Sequence, residues 1–207
     1  MDARINIKIF LKTVILFPLF MIFIMFPLCL LIVITAFVPK GRVLATKLYE
    51  FFGWIGIVLV GVELNVIGAE KIDTKKSYVV IGNHPSTLDI FTHITALPVS
   101  IRFLTKTELF RIPIFGRVLK TLGLPRIDRK NAKANFEKIN DSINQVIKLG
   151  NSIMIFPEGK RSNQKELLPF KKGAAYIAKD FNLPVIPVVS HNACLLYTSP
   201  SPRDSDT

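Results

Sequence analysis

Only two cysteines, three histidines and one tryptophan occur in the 207 residues. Two cysteines cannot build a disulfide framework; Cys29 lies inside an apolar run and Cys194 has no evident partner, which fits a reducing compartment. No CxxC or HExxH spacing links the cysteines or the histidines His84, His93 and His191, so no metal site is expected. Acidic residues are scarce too: 15 Asp and Glu against 27 Lys and Arg give a net charge of +12, which excludes an acidic disordered tail. Eleven glycines are far too few for a collagen-like chain. Length alone allows one or two domains with a real core.

Hydrophobic residues, by contrast, make up half of the sequence, and the mean hydropathy is +0.40. With the excess of positive charge, this leaves two kinds of anionic partner to weigh, a membrane surface and a nucleic acid. The distribution of apolar residues favours the membrane. From Thr13 to Pro39 no charge and no histidine interrupts the chain, which exceeds the roughly 20 residues a bilayer core requires. The run is about twice the length of a secretory signal core, and no small-residue cleavage site precedes Lys40. Pro18 and Pro27 leave a straight span and a re-entrant hairpin both open.

A second apolar patch, Phe51 to Val62, contains Gly53, Gly56 and Gly61 between Glu50 and Glu63. It is short for a crossing, so an interfacial or half-inserted helix is expected, with Phe51 and Trp54 at headgroup depth. Basic residues flank the long run on both sides (Lys8 and Lys12, then Lys40, Arg42 and Lys47), so they set no orientation. Residues 1–68 are thus expected to be a hydrophobic membrane anchor.

Residues 69–193 change character. SYVVIG at Ser77 to Gly82, Ile101 to Leu104, SIMIF at Ser152 to Phe156 and VIPVV at Val185 to Val189 read as buried strands. Between them lie helical patterns. The clearest starts at Asn131, a good N-cap, and sets Phe136, Ile139, Ile143, Val146 and Ile147 on one face. Alternating strands and helices predict an α/β domain, with a mixed, largely parallel sheet flanked by helices and preceded by the hydrophobic helical anchor. CLLYTSPSPRD, Cys194 to Asp204, resembles the conceptual translation of a sequencing-library adapter. The natural frame is expected to end near Ala193, leaving a truncated domain and a disordered non-native tail at 194–207.

In open α/β folds, ligands collect at the carboxyl ends of the strands. The first predicted strand runs directly into Gly82-Asn83-His84-Pro85-Ser86-Thr87-Leu88-Asp89. Ser86 and Asp89 have capping-box spacing. His84 and Asp89 can meet across a strand-to-helix turn, where the carboxylate fixes the imidazole tautomer and stabilises the imidazolium. By itself this spacing fits a structural histidine as well as a general base. No G-x-S-x-G elbow or suitable cysteine offers a covalent nucleophile. Gly159-Lys160 is no P-loop, because the required earlier glycine falls on Met154.

Three more blocks follow in order. Lys106-Thr107-Glu108-Leu109, Pro113-Ile114-Phe115-Gly116, Gly123 and Ile127-Asp128-Arg129 form the second. Phe156-Pro157-Glu158-Gly159 with Arg161 and Ser162 forms the third, followed by Pro169-Phe170-Lys171-Lys172-Gly173. Val185-Ile186-Pro187-Val188 forms the last. Together the four blocks resemble the glycerolipid acyltransferase family, most closely the 1-acylglycerol-3-phosphate acyltransferases, over Ala69 to Ala193.

The resemblance implies direct acyl transfer from acyl-CoA or acyl carrier protein to the sn-2 hydroxyl of lysophosphatidic acid, giving phosphatidic acid without a covalent enzyme intermediate. It implies His84 as base and Asp89 as its partner. Arg129, Arg161, Glu158, Gly159 and Lys106 are expected to hold the acceptor, and Pro187 to shape the acyl-chain region. No cofactor, metal or nucleic acid is implied. The partners are the bilayer, the lysolipid and the thioester, and the expected location is the cytoplasmic face of a bacterial inner membrane. Lys160 departs from the threonine common in the family, adding charge beside the expected phosphate site. Alternatives are another lysophospholipid or an amino-acid lipid as acceptor, or a non-catalytic basic membrane module. The last explains the lysines but not the His84–Asp89 block.

Overall fold

A computed structural model describes Leu19 and residues 21–86, 88–128, 136–161 and 167–191. Arg129, the Asn131 cap, Ser162 and the tail from Cys194 lie outside these residues. In chain order, a π-helical turn at Met21–Met25 leads into helix α1 (Phe26–Thr35) and then α2 (Gly41–Val60). Strand β1 (Val79–Gly82), helix α3 (Asp89–Ala96), and strands β2 (Ile101–Phe103) and β3 (Thr105–Lys106) follow. Next are α4 (Phe115–Thr121), β4 (Arg126–Ile127), α5 (Phe136–Lys148), β5 (Ser152–Ile155), α6 (Gly173–Asp180) and β6 (Val185–Val188).

The chain divides into two compact units, Met1–Phe52 with Glu108–Leu122, and Gly53–Thr107 with Gly123–Thr207. In the first, α1 packs on α4. Leu28 and Ile32 are buried on α1, and Val118 and Leu119 on α4, while Phe23, Phe26, Leu30, Leu31, Ile34 and Phe37 remain exposed.

Helix α2 differs from the short element expected at Phe51 to Val62. Those residues up to Val60 continue one 20-residue helix that begins at Gly41. Its mean hydropathy is 1.6, and it is long and apolar enough to cross a membrane. Arg42, Lys47 and Glu50 break the uncharged run in the sequence without breaking the helix, because all three side chains are exposed. Gly53 and Gly56 face α3: a Cβ at Gly53 collides with Ile94, and one at Gly56 with Phe91. Small residues allow this close helix approach.

In the second unit the main sheet has the order β2-β5-β1-β6. Every described pair is parallel, including the separate pair β3–β4. The antiparallel component of a mixed sheet is therefore absent among the described residues. Val79 and Val80 are fully buried in β1, as expected for a strand covered on both faces. On one face Val79, Ile153 and Ile155 pack against Ile139, Ile143 and Val146 of α5 and Ile177 of α6. Burying each such aliphatic side chain contributes about 1.5–3 kcal/mol. Pro187 pairs in register with Ile81; β6 is an edge of the sheet among the described strands, where a residue without an N–H is tolerated.

Candidate active site

Parallel pairing brings the carboxyl ends of β5, β1 and β6 side by side, in the registers Ile81 with Ile155 and Gly82 with Val188. The chain leaving β1 is Asn83-His84, that leaving β5 is Phe156-Pro157-Glu158, and that leaving β6 reaches Ser190. These three exits are bonded together. Asn83 Nδ2 donates to the Ser190 carbonyl at 3.0 Å, and Asn83 Oδ1 accepts from the Ser190 N–H at 2.8 Å. The His84 N–H donates to Glu158 Oε1 at 3.1 Å.

His84 Nδ1 lies 2.7 Å from Asp89 Oδ2. Asp89 opens α3 and is 0% exposed, and the same Oδ2 accepts the Ser86 N–H at 2.9 Å. Ser86 Oγ accepts from the Leu88 N–H at 3.1 Å. Half of the expected capping box is therefore present, and the serine hydroxyl serves a shorter turn instead. A carboxylate accepts only, so Nδ1 carries the proton and Nε2 the lone pair. The histidine side chain is 19% exposed, and Nε2 has no bonded partner among the described residues. The imidazole is thus oriented on one edge and open on the other.

Phe156 stacks on the His84 ring, with centroids 4.0 Å apart and planes 8° from parallel. Its ring in turn meets Phe103 at 5.8 Å and, nearly at right angles, His93 at 5.6 Å. His93 sits on α3, 2% exposed, with Nδ1 donating to the Asp89 carbonyl at 2.6 Å. Burial pushes its imidazole below the ordinary value, and the bond to Asp89 only partly opposes that. His93 is therefore neutral, and its buried Nε2 has no bonding partner among the described residues.

Glu158, expected to help form the acceptor pocket, also carries a structural load. It is 3% exposed, and its two oxygens are engaged by backbone: Oε1 by the His84 N–H and Oε2 by the Leu168 N–H at 2.9 Å. It ties the third block to the first. Gly159 has φ +72°, and a Cβ there would stand 2.8 Å from Lys171 Nζ. A positive φ favours glycine at that turn. The Lys171 N–H donates to the Pro157 carbonyl at 2.9 Å, holding the following segment against the turn. Lys160 and Arg161 are exposed just beyond.

Lys106 is exposed on β3, opposite Ile127 of β4. The β3–β4 pair thereby brings the beginning of the second block beside its end, although Arg129 itself lies outside the described residues. Pro187 is exposed on β6. Among the described residues, no group of three His, Cys, Asp or Glu gathers to hold a metal ion. Asn83, Phe156 and His93 were not singled out as site residues by the sequence. Asn83 and Phe156 stood inside the quoted blocks, the only signal available for them.

The strand exits of this parallel α/β sheet present an open imidazole nitrogen backed by a buried carboxylate, an arrangement able to take a proton from a hydroxyl. The family follows from comparison. An acyltransferase family model matches residues 63–191, and the chain belongs to that family. It is 35% identical over 152 residues to a 1-acyl-sn-glycerol-3-phosphate acyltransferase of Cocos nucifera, covering 73% of this chain and 49% of that one. It is 35% identical over 141 residues to one from Saccharomyces cerevisiae, covering 67% and 46%. The crystal structure of the 1-acyl-sn-glycerophosphate acyltransferase of Thermotoga maritima superposes with a TM-score of 0.60 at 27% identity, covering 75% of this chain and 63% of that chain. The chain spans about half the length of the curated relatives it matches.

Proposed function

We propose that the protein transfers an acyl chain from acyl-CoA or acyl carrier protein to the free hydroxyl of lysophosphatidic acid, forming phosphatidic acid at a membrane. The observation that carries this reading is the 2.7 Å contact of His84 Nδ1 with buried Asp89, which leaves the lone pair of Nε2 accessible. The family and its relatives supply the substrate class.

In the proposed reaction, Nε2 accepts the proton of the lysolipid hydroxyl as that oxygen bonds to the thioester carbonyl carbon. Asp89 stabilises the imidazolium. Collapse of the tetrahedral intermediate breaks the C–S bond, and the imidazolium returns its proton to the departing thiolate. Arg161, and Arg129 from the sequence motif, are assigned to the acceptor phosphate, since a guanidinium makes paired charge-assisted bonds with phosphate oxygens. Lys106 adds positive charge for the same group, and Pro187 is assigned to the acyl-chain region.

Helix α2 and the exposed apolar side chains of α1 form the membrane anchor in this reading, holding the site where amphiphilic substrates reside. Soluble thioester donors place the catalytic domain on the cytoplasmic face, in a bacterium at the inner membrane.

The test is His84→Ala, assayed in lipid vesicles with labelled acyl-CoA or acyl carrier protein and a panel of lysolipids. Removing a general base lowers the rate by about 10²- to 10⁴-fold, with the melting temperature unchanged. Transfer at the wild-type rate by the folded variant would overturn the assignment, and a faster reaction with a different lysolipid would reassign the acceptor.

A further inference from the structure

Four residues close a ring of contacts around the base. Asp89 Oδ2 holds His84 Nδ1 at 2.7 Å. The imidazole stacks on Phe156 at 4.0 Å and 8°. Phe156 meets His93 nearly at right angles, at 5.6 Å and 83°. His93 Nδ1 returns to the Asp89 carbonyl at 2.6 Å. The covalent bond at Cγ and the carboxylate at Nδ1 fix two points of the His84 ring; a contact against its face damps the rocking about the line that joins them. Phe156 supplies it, and is itself confined by Phe103 and by buried His93.

We propose that Phe156 is a positioning residue for His84: its ring face sets the imidazole plane so that Nε2 aims at the acceptor hydroxyl, and it steadies the cation formed when that proton is taken. The reasons are geometric and electrostatic. Near-parallel stacking at this distance covers one face of the imidazole, so only one face and the Nε2 edge remain for substrate and water. The negative face of an aromatic ring attracts a cation lying over it, and this attraction strengthens as the imidazole becomes imidazolium. An interaction that is stronger in the transition state than in the ground state raises kcat rather than lowering KM.

The charged and titratable neighbours in this ring are Asp89 and His93 of α3 and, at the backbone of His84, Glu158. His93 is neutral, so it adds no charge to oppose the imidazolium. The inference rests on the acyl-transfer reading for its kinetic arm, and its spectroscopic arm is independent of activity.

The experiment compares the full chain with Phe156→Leu, which keeps an apolar cover without a π face, and with Phe156→Tyr, which keeps the face. Histidine-labelled protein in detergent micelles gives the ring resonances, and His84→Gln identifies those of His84. The expected result is upfield ring-proton shifts and a single Nδ1–H tautomer in wild type and Phe156→Tyr. In Phe156→Leu the upfield shifts are lost while the Nδ1–H tautomer, which Asp89 sets, remains. Kinetically, Phe156→Leu lowers kcat by roughly two- to thirtyfold with both KM values within about twofold, while Phe156→Tyr restores it.

Should Phe156→Leu fail to fold, Phe156→Met replaces it, and the wild-type ring shifts still decide whether the stack exists. Wild-type His84 resonances without upfield shifts would overturn the proposal. So would unchanged kcat in folded Phe156→Leu, or a change confined to KM. A folded wild type that shows the shifts but transfers nothing to any lysolipid, or an active His84→Ala, marks failure of the acyl-transfer reading instead.

Discussion

Substituting Glu158 by Gln separates two roles for this carboxylate, as a grip on the acceptor or as a brace for the base. The side chain is 3% exposed, and each oxygen accepts one backbone N–H, from His84 at 3.1 Å and from Leu168 at 2.9 Å. Gln preserves the volume but turns one oxygen into a donor. Because N–H groups stand at both ends, neither amide orientation satisfies both. Hydrogen bonds to a charged acceptor contribute about 1.5–3 kcal/mol, and an orphaned buried donor costs about 1–3 kcal/mol. A loss of about 2–3 kcal/mol is therefore expected, which lowers Tm by roughly 4–12 °C for a domain of this size. Glu158→Ala removes both bonds and costs more. Thermal melts of the detergent-solubilised chain, paired with steady-state kinetics well below the variant's Tm, measure both sides of the argument. The brace predicts a lower Tm and a lower kcat, since the His84 backbone loses its anchor, with little change in acceptor KM. An unchanged Tm together with a tenfold rise in acceptor KM would refute it and return Glu158 to the binding pocket.

Two further predictions concern His93 and Arg161. Burial holds the His93 imidazole below its ordinary value, so the folded chain refuses a proton that the unfolded chain accepts as pH falls through about 6.5. Stability is then unaffected by this group above that pH, and falls below it by up to about 1.4 kcal/mol per pH unit. His93→Asn, which keeps a donor for the Asp89 carbonyl, flattens the decline in urea midpoint between pH 7.5 and 5.5, and an equally steep decline in both proteins would contradict the assignment. Arg161→Ala is expected to raise the KM for lysophosphatidic acid by about tenfold, the lower end for a charge-assisted bond at an exposed site, with the donor KM nearly constant. Equal rises for both substrates would argue against a phosphate contact.

Much of the domain was legible because its strands are short, continuous apolar runs that a parallel sheet covers on both faces. SIMIF and VVIG could hardly serve otherwise. The His84–Asp89 pair was legible because five residues is the distance across a strand-to-helix turn. What stayed hidden depends on contacts between segments far apart in sequence. That Glu158 also braces the His84 backbone, 74 residues earlier, shows only in the folded chain. Phe156 looks like the end of a core strand until the imidazole is found lying flat upon it. The pairing of β3 with β4 rests on two residues from each strand, too few to show any periodicity. Helix α2 was divided in the sequence because a search for uncharged runs penalises Lys47 and Glu50, whereas a helix can turn such residues outward.

The bonds from Asn83 to Ser190 span 107 residues, and that from His84 to Glu158 spans 74. Contacts this far apart in sequence carry a large loop-closure entropy and slow folding. The order of events along the chain follows: His84 and Asp89 are close in sequence and can meet early, whereas the bonds that tie the β1 exit to that of β6 need a segment more than a hundred residues later.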